Sequence, residues 1–143
     1  YDFTTFSNNS QFYDVGDPVG VTFDRRSVYR TVIRSGRSRF LDAFDCPDPS
    51  TKTPRRAVTT TPLQALALLN SNFGLRMADR LAGRVERHVG PGVSARVALA
   101  FQLCFSRPPT PDEADAAGDF VTRHGLPALG RVLFNANEFL YVD

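Results

Sequence analysis

The chain has 143 residues, enough for one hydrophobic core and little more. Its 42% hydrophobic and 22% charged content is ordinary for a globular chain, which excludes disorder over the whole length. The formal net charge is only +2, and no apolar run approaches the ~20 residues of a bilayer span, so no membrane span is expected.

No signal peptide is visible. The chain begins at Tyr1 inside an aromatic-rich segment, and the expectation is a fragment or a processed product. Of 17 basic residues only Lys52 is lysine. The rest are arginine, a side chain that favours planar, bidentate partners. A GC-rich coding bias, which the frequent Ala and Gly also suggest, explains the same composition.

Residues 1–24 carry Phe3, Phe6, Phe12 and Tyr13 among Ser, Asn, Thr and Asp, with a turn marked by Asp17-Pro18 and Gly20. They read as an extended, aromatic-rich N-terminal segment, either short strands pairing with something outside this chain or a disordered arm. Residues 25–143 read as one helical domain. Its first stretch, 25–39, holds Arg25, Arg26, Arg30, Arg34, Arg37 and Arg39 with no acid between Asp24 and Asp42. Val28, Tyr29, Val32 and Ile33 recur at helical spacing, which favours a short helix over their β-branched content. These arginines suit an anion such as phosphate, sulfate or an acidic glycan, or else pair with neighbouring acids. Nucleic acid fits poorly, because outside this segment the charges are mixed.

A short helix over SRFLDAF is followed by the loop DCPDPSTKT. Asp42, Asp45 and Asp48 lack the alternating ligands and turn glycine of a calcium loop, so no metal is expected. Asp45 and Asp48 are instead placed to receive Arg55 and Arg56. With Thr61, these residues form an expected structural clamp between the loop and the next helix. Cys46 and Cys104 allow one disulfide, although Cys104 also reads as a small buried apolar residue.

Thr61 is placed as an N-cap and Pro62 at the first helical position. Leu63, Ala65, Leu66, Ala67, Leu68 and Leu69 follow, interrupted only by Gln64. A helix apolar on every side and too short for a membrane is expected at the centre of a core, with Asn70 as its stop. The next helix is expected from Asn72 to His88, with Leu75, Ala78, Leu81, Ala82 and Val85 inward and Arg76, Arg80, Arg84 and Arg87 on the wet face. His88 belongs to its last turn, where a cation suits the dipole. Gly90-Pro91-Gly92 ends it.

A third helix over 94–105, capped by Ser94, is nearly all apolar and should lie deep. After the rigid Arg107-Pro108-Pro109 break, Thr110-Pro111-Asp112-Glu113 opens a fourth helix with a capping box, and Gly125 stops it. The last helix starts near Pro127 with Leu129, Val132, Leu133 and Ala136 inward. Asn135, Asn137 and Glu138 form a polar group close to the end. The fold class is therefore mainly α, a compact array of about five helices with an irregular or short-stranded N-terminal segment.

No nucleophile elbow, phosphate loop, HExxH or CxxC is present, so no catalytic residue and no cofactor is assigned. The binding residues for an anion or glycan are Arg25, Arg26, Arg55 and Arg56.

RRSVYR at 25–30, LDAFDCPDPS at 41–50, PRRAVTTTPLQALALLN at 54–70 and LFNANEFLYVD at 133–143 together resemble the planctomycete-type domain of unknown function 1553. The resemblance covers nearly the whole chain and corresponds to the C-terminal part of that longer domain. It implies a place at the C-terminus of large secreted bacterial proteins, often behind a partner domain and a cytochrome-c-like haem module. The implied setting is extracellular or periplasmic, in the cell envelope. No CxxCH haem motif lies in this chain. Such parents commonly accompany sulfatases and polysaccharide-degrading machinery, but the resemblance implies no reaction. The leading expectation is a non-catalytic structural or interaction module whose partners are the upstream domains of its parent. The alternative is part of a glycan-binding, anion-binding or hydrolytic site, with an anionic polysaccharide as partner.

Overall fold

The computed structural model describes residues 3–6, 12–15, 26–29, 38–48, 51–55, 59 and 61–140. Arg25, Arg30, Arg34, Arg37, Arg56, the Asp17-Pro18 turn and the closing residues 141–143 lie outside the described residues. The chain is mainly α and divides into two compact units, Tyr1–Gln64 and Ala65–Asp143.

In the first unit, β1 (Phe3–Phe6) and β2 (Phe12–Val15) form an antiparallel pair, with Phe3 opposite Val15 and Phe6 opposite Phe12. The two segments thus pair with each other. Ser27–Tyr29 makes a single 3-10 turn, all of it exposed. Helix α1 (Arg39–Ala43) is capped by Ser38, whose hydroxyl accepts from Leu41 N at 3.5 Å. It ends in a left-handed residue, Asp45 at φ 57°. Cys46 N donates to Leu41 O and Asp45 N to Asp42 O, the paired bonds of a Schellman ending.

Helix α2 (Pro62–Asn70) starts where Thr61-Pro62 predicts. It does not lie in the core. Leu63 is 70% exposed and Leu66 53%, while the helix's one buried residue is Gln64. Apolar composition signals a surface that favours cover; it does not say which part of a protein supplies it. Hydrogen bonds hold both its ends. Gln64 N and Thr61 Oγ1 lie 3.4 Å apart and Thr61 N donates to Gln64 Oε1 at 3.2 Å, a capping-box pair. At its far end the Arg131 fork donates to Leu69 O from Nε (3.1 Å) and Nη2 (2.8 Å).

Ser71 alone separates α2 from α3 (Asn72–His88) and caps it, accepting from Gly74 N at 3.0 Å. The remaining helices are α4 (Val93–Phe105), α5 (Pro111–His124), α6 (Leu126–Phe134) and α7 (Asn137–Leu140). Successive helices from α3 to α6 pack on one another, and α6 packs back on α3, so the four form a closed ring. Their core holds Ala82, Val85, Val97, Ala100, Phe101, Ala117, Val121, Leu126, Leu129 and Leu133. The predicted α3 stripe supplies three residues under 5% exposed, Ala78, Ala82 and Val85. Small residues bring α3 and α6 close. A Cβ on Gly130 would meet Ala78 Cα and Cβ and Leu81 Cδ2, each at 3.4 Å.

Two local expectations change. Helix α4 begins at Val93 behind Gly92, with no side-chain cap from Ser94. Arg96 ties down this corner instead, reaching Gly90 O at 3.0 Å and Glu86 at 3.4 Å. On α6, Leu126, Leu129, Gly130 and Leu133 form the face turned to the core, whereas Val132 lies roughly 110° round the helix from the middle of that face and is 48% exposed. Neither Cys46 nor Cys104 is in a disulfide. Burial beside the core pushes the Cys104 thiol up to about 11. His88 Nδ1 lies 2.7 Å from Arg84 O, closing the last turn of α3.

Candidate functional site

Two polar constellations stand out, one in each unit. In the first unit, the left-handed aspartate that ends α1 also aims its carboxylate at the approach to α2. Asp45 Oδ2 accepts from Thr59 N at 2.8 Å, and Thr59 Oγ1 lies 2.9 Å from both carboxylate oxygens. Gln64 Nε2 completes the group, 3.1 Å from Thr59 Oγ1 and 3.4 Å from Asp45 Oδ2. With its Oε1 taken by Thr61, the Gln64 amide is engaged at both ends, which is how a polar side chain comes to be the buried residue of an apolar helix. Glycine or asparagine would suit the left-handed backbone equally well. Only aspartate adds a charged acceptor for Thr59.

In the second unit, Arg107 follows α4 and uses all five of its N–H groups. Nη1 and Nη2 hold Glu113 at 2.8 and 2.9 Å. Nε and Nη2 hold Glu138 at 2.8 Å each, and Nη1 also reaches Pro108 O at 3.1 Å. Its guanidinium carbon stands 5.9 Å from the Phe101 ring centre and 5.6 Å from that of Phe105, within cation–π range. Glu113 is at the same time the third residue of the α5 capping box, accepting from Thr110 N at 2.7 Å. One arginine therefore ties the end of α4, the start of α5 and α7 together.

Hydrogen bonds from Arg107 hold the Glu113 carboxyl down at about 2, with further help from the Thr110 N–H. The same guanidinium lowers Glu138, and the two carboxylates raise Arg107. Because the folded Glu113 lies below its ordinary 4.5, its contribution to stability is complete above about 4.5 and is lost as pH falls towards about 2. Urea unfolding of the wild type should show stability falling across that window. Glu113→Gln keeps a capping-box side chain but not the charge, and should flatten the fall. Equal slopes in both proteins would remove the ion pair from the explanation.

The residues singled out in the sequence are dispersed in what they do. Arg26 and Arg55 are exposed, and Arg25 and Arg56 lie outside the described residues. Asp45 is engaged by Thr59 and Gln64, Asp48 is half-buried, and Thr61 caps α2. In the sequence Arg107 reads only as part of a Pro-Pro break, because its partners stand six and 31 positions away. The available signal was a glutamate at the third position of a capping box with an arginine just before it. Among the described residues, no three His, Cys, Asp or Glu gather to hold a metal ion, and no helix is long and apolar enough to cross a membrane.

The family described as protein of unknown function DUF1553 matches residues 8–121, well over half of the chain. The chain belongs to the DUF1553 family. Within that match fall the Asp45–Thr59–Gln64 group, the whole of α2 to α4, and the Arg107–Glu113 half of the second cluster. Glu138 and α6 lie beyond it. Neither a curated protein nor a solved structure matches this chain.

Proposed function

We propose that this DUF1553 chain is a non-catalytic structural or interaction module, the C-terminal helical part of a secreted, multidomain bacterial protein of the cell envelope. Its partner is an upstream domain of the same parent. The observation that carries this reading is α2, whose Leu63 and Leu66 stand 70% and 53% exposed on a helix anchored at both ends by hydrogen bonds. An apolar face held rigid and left uncovered is suited to docking. The strongest charged cluster supports the same reading, since Arg107 satisfies both carboxylates internally and leaves neither poised for proton transfer.

The test is association with the upstream region of the parent. The wild-type chain should be retained by it and gain thermal stability on joining. A Leu63→Ser/Leu66→Ser variant should lose most of that association while staying folded by circular dichroism. No association, together with no change in stability when the two are joined, would reject the docking role.

A further inference from the structure

In the unit Ala65–Asp143, the arginines outside α3 all hold partners. Arg96 holds Glu86, Arg107 holds Glu113 and Glu138, Arg123 holds Asp119, and Arg131 holds the Leu69 carbonyl. Arg84 and Arg87 of α3 differ. Both are exposed, and neither side chain has a hydrogen bond or ion pair among the described residues. Their own helix places no acid three or four residues from either. The residues three and four positions from Arg84 are Arg80, Leu81, Arg87 and His88; those from Arg87 are Gly83, Arg84, Gly90 and Pro91. Arg80, Arg84 and Arg87 thus stand as neighbouring like charges on one face, a spacing that destabilises a helix.

The same residues line an open groove of about 570 Å³ together with Gly83 and Asp79. A Cβ on Gly83 would meet Arg87 Nη1 at 3.4 Å, so the Arg87 head lies close to the glycine. Asp79 is the one carboxylate lining it among the described residues; of the three guanidinium groups there, that of Arg80 is already engaged, which leaves those of Arg84 and Arg87.

We propose that this groove binds a tetrahedral oxyanion group, a sulfate or a phosphate, held by Arg84 and Arg87 with Arg80 at its rim. Guanidinium forks donate paired N–H groups to such oxygens, and a bound anion removes the repulsion between the arginines. The carbonyl end of α3 opposes a lone anion there. A ligand carrying several such groups offsets this by placing oxygens on both Arg84 and Arg87. The site goes beyond the docking role of α2 and uses none of its residues.

The 143-residue chain, with labelled arginine side chains and amides, is titrated at constant ionic strength with inorganic sulfate, inorganic phosphate and dextran sulfate. Saturable shifts are expected at the Arg84 and Arg87 Nε–H groups and at the Gly83 amide. Arg84→Gln/Arg87→Gln should weaken binding about tenfold, and Arg123→Gln should leave it unchanged. Saturation by the inorganic ions assigns a free anion, and saturation by dextran sulfate alone assigns an ester on a larger molecule; either upholds the site. No saturable shift with any probe, equal shifts at Arg123, or unchanged binding by a folded double variant would overturn it.

Discussion

Leu129→Ala should cost about 3 kcal/mol of unfolding free energy. Leu129 is 3% exposed and sits where α6 closes the ring against α3, in the same cluster as Val85 and Leu133. Removing its isobutyl group loses the transfer free energy of the missing carbons and leaves a cavity. Close backbones across Gly130 and Ala78 limit how far that cavity can collapse. Urea unfolding should show a lower midpoint with an unchanged slope, because the surface exposed on unfolding hardly alters. A loss under about 1 kcal/mol would mean that the site is not packed as described.

The second large effect is at the α2–α3 corner. Gly74→Ala should destabilise the protein by about 1–3 kcal/mol, even though alanine is the better helix former by about 1 kcal/mol. Gly74 is buried within the first turn of α3, and an added Cβ would run into the Leu68 carbonyl oxygen, with Ser71 Oγ only 3.1 Å away. The carbonyl is backbone and cannot swing aside, so α2 would have to shift and the Ser71 cap would loosen. Gly118→Ala on α5 is the matched control. The nearest atom to its Cβ position is Val93 Cγ1 at 4.0 Å, so the same change should stabilise by up to about 1 kcal/mol. Opposite signs at two helical glycines separate steric demand from propensity, and thermal melts of the two variants read it directly.

Local chemistry was legible in the sequence. Thr110-Pro111 and Glu113 start α5 with both capping-box bonds in place, and the α3 stripe from Leu75 to Val85 turns inward as its spacing requires. What the sequence hid was where each face goes. Six apolar residues around Gln64 suggest a core helix, yet the buried member is the glutamine, because Asp45, Thr59 and Thr61 complete its hydrogen bonds. The Thr61-x-x-Gln64 spacing was the signal, outweighed by the leucines around it. Val132 shows the same lesson on a smaller scale, since its hydrophobicity is no guide when its angle round α6 takes it off the buried face. The Arg107 cluster depends on a contact across 31 positions, which arises only when α7 packs back on α4.

The most direct test of a core built from α3 to α6, with the leucines of α2 outside it, compares one leucine from each place. Leu66→Ala and Leu129→Ala remove the same atoms, from a side chain 53% exposed and from one 3% exposed. Under identical urea unfolding, Leu66→Ala should stay within about 0.5 kcal/mol of wild type while Leu129→Ala loses about 3 kcal/mol. Equal losses at the two positions would contradict that arrangement and return α2 to the core.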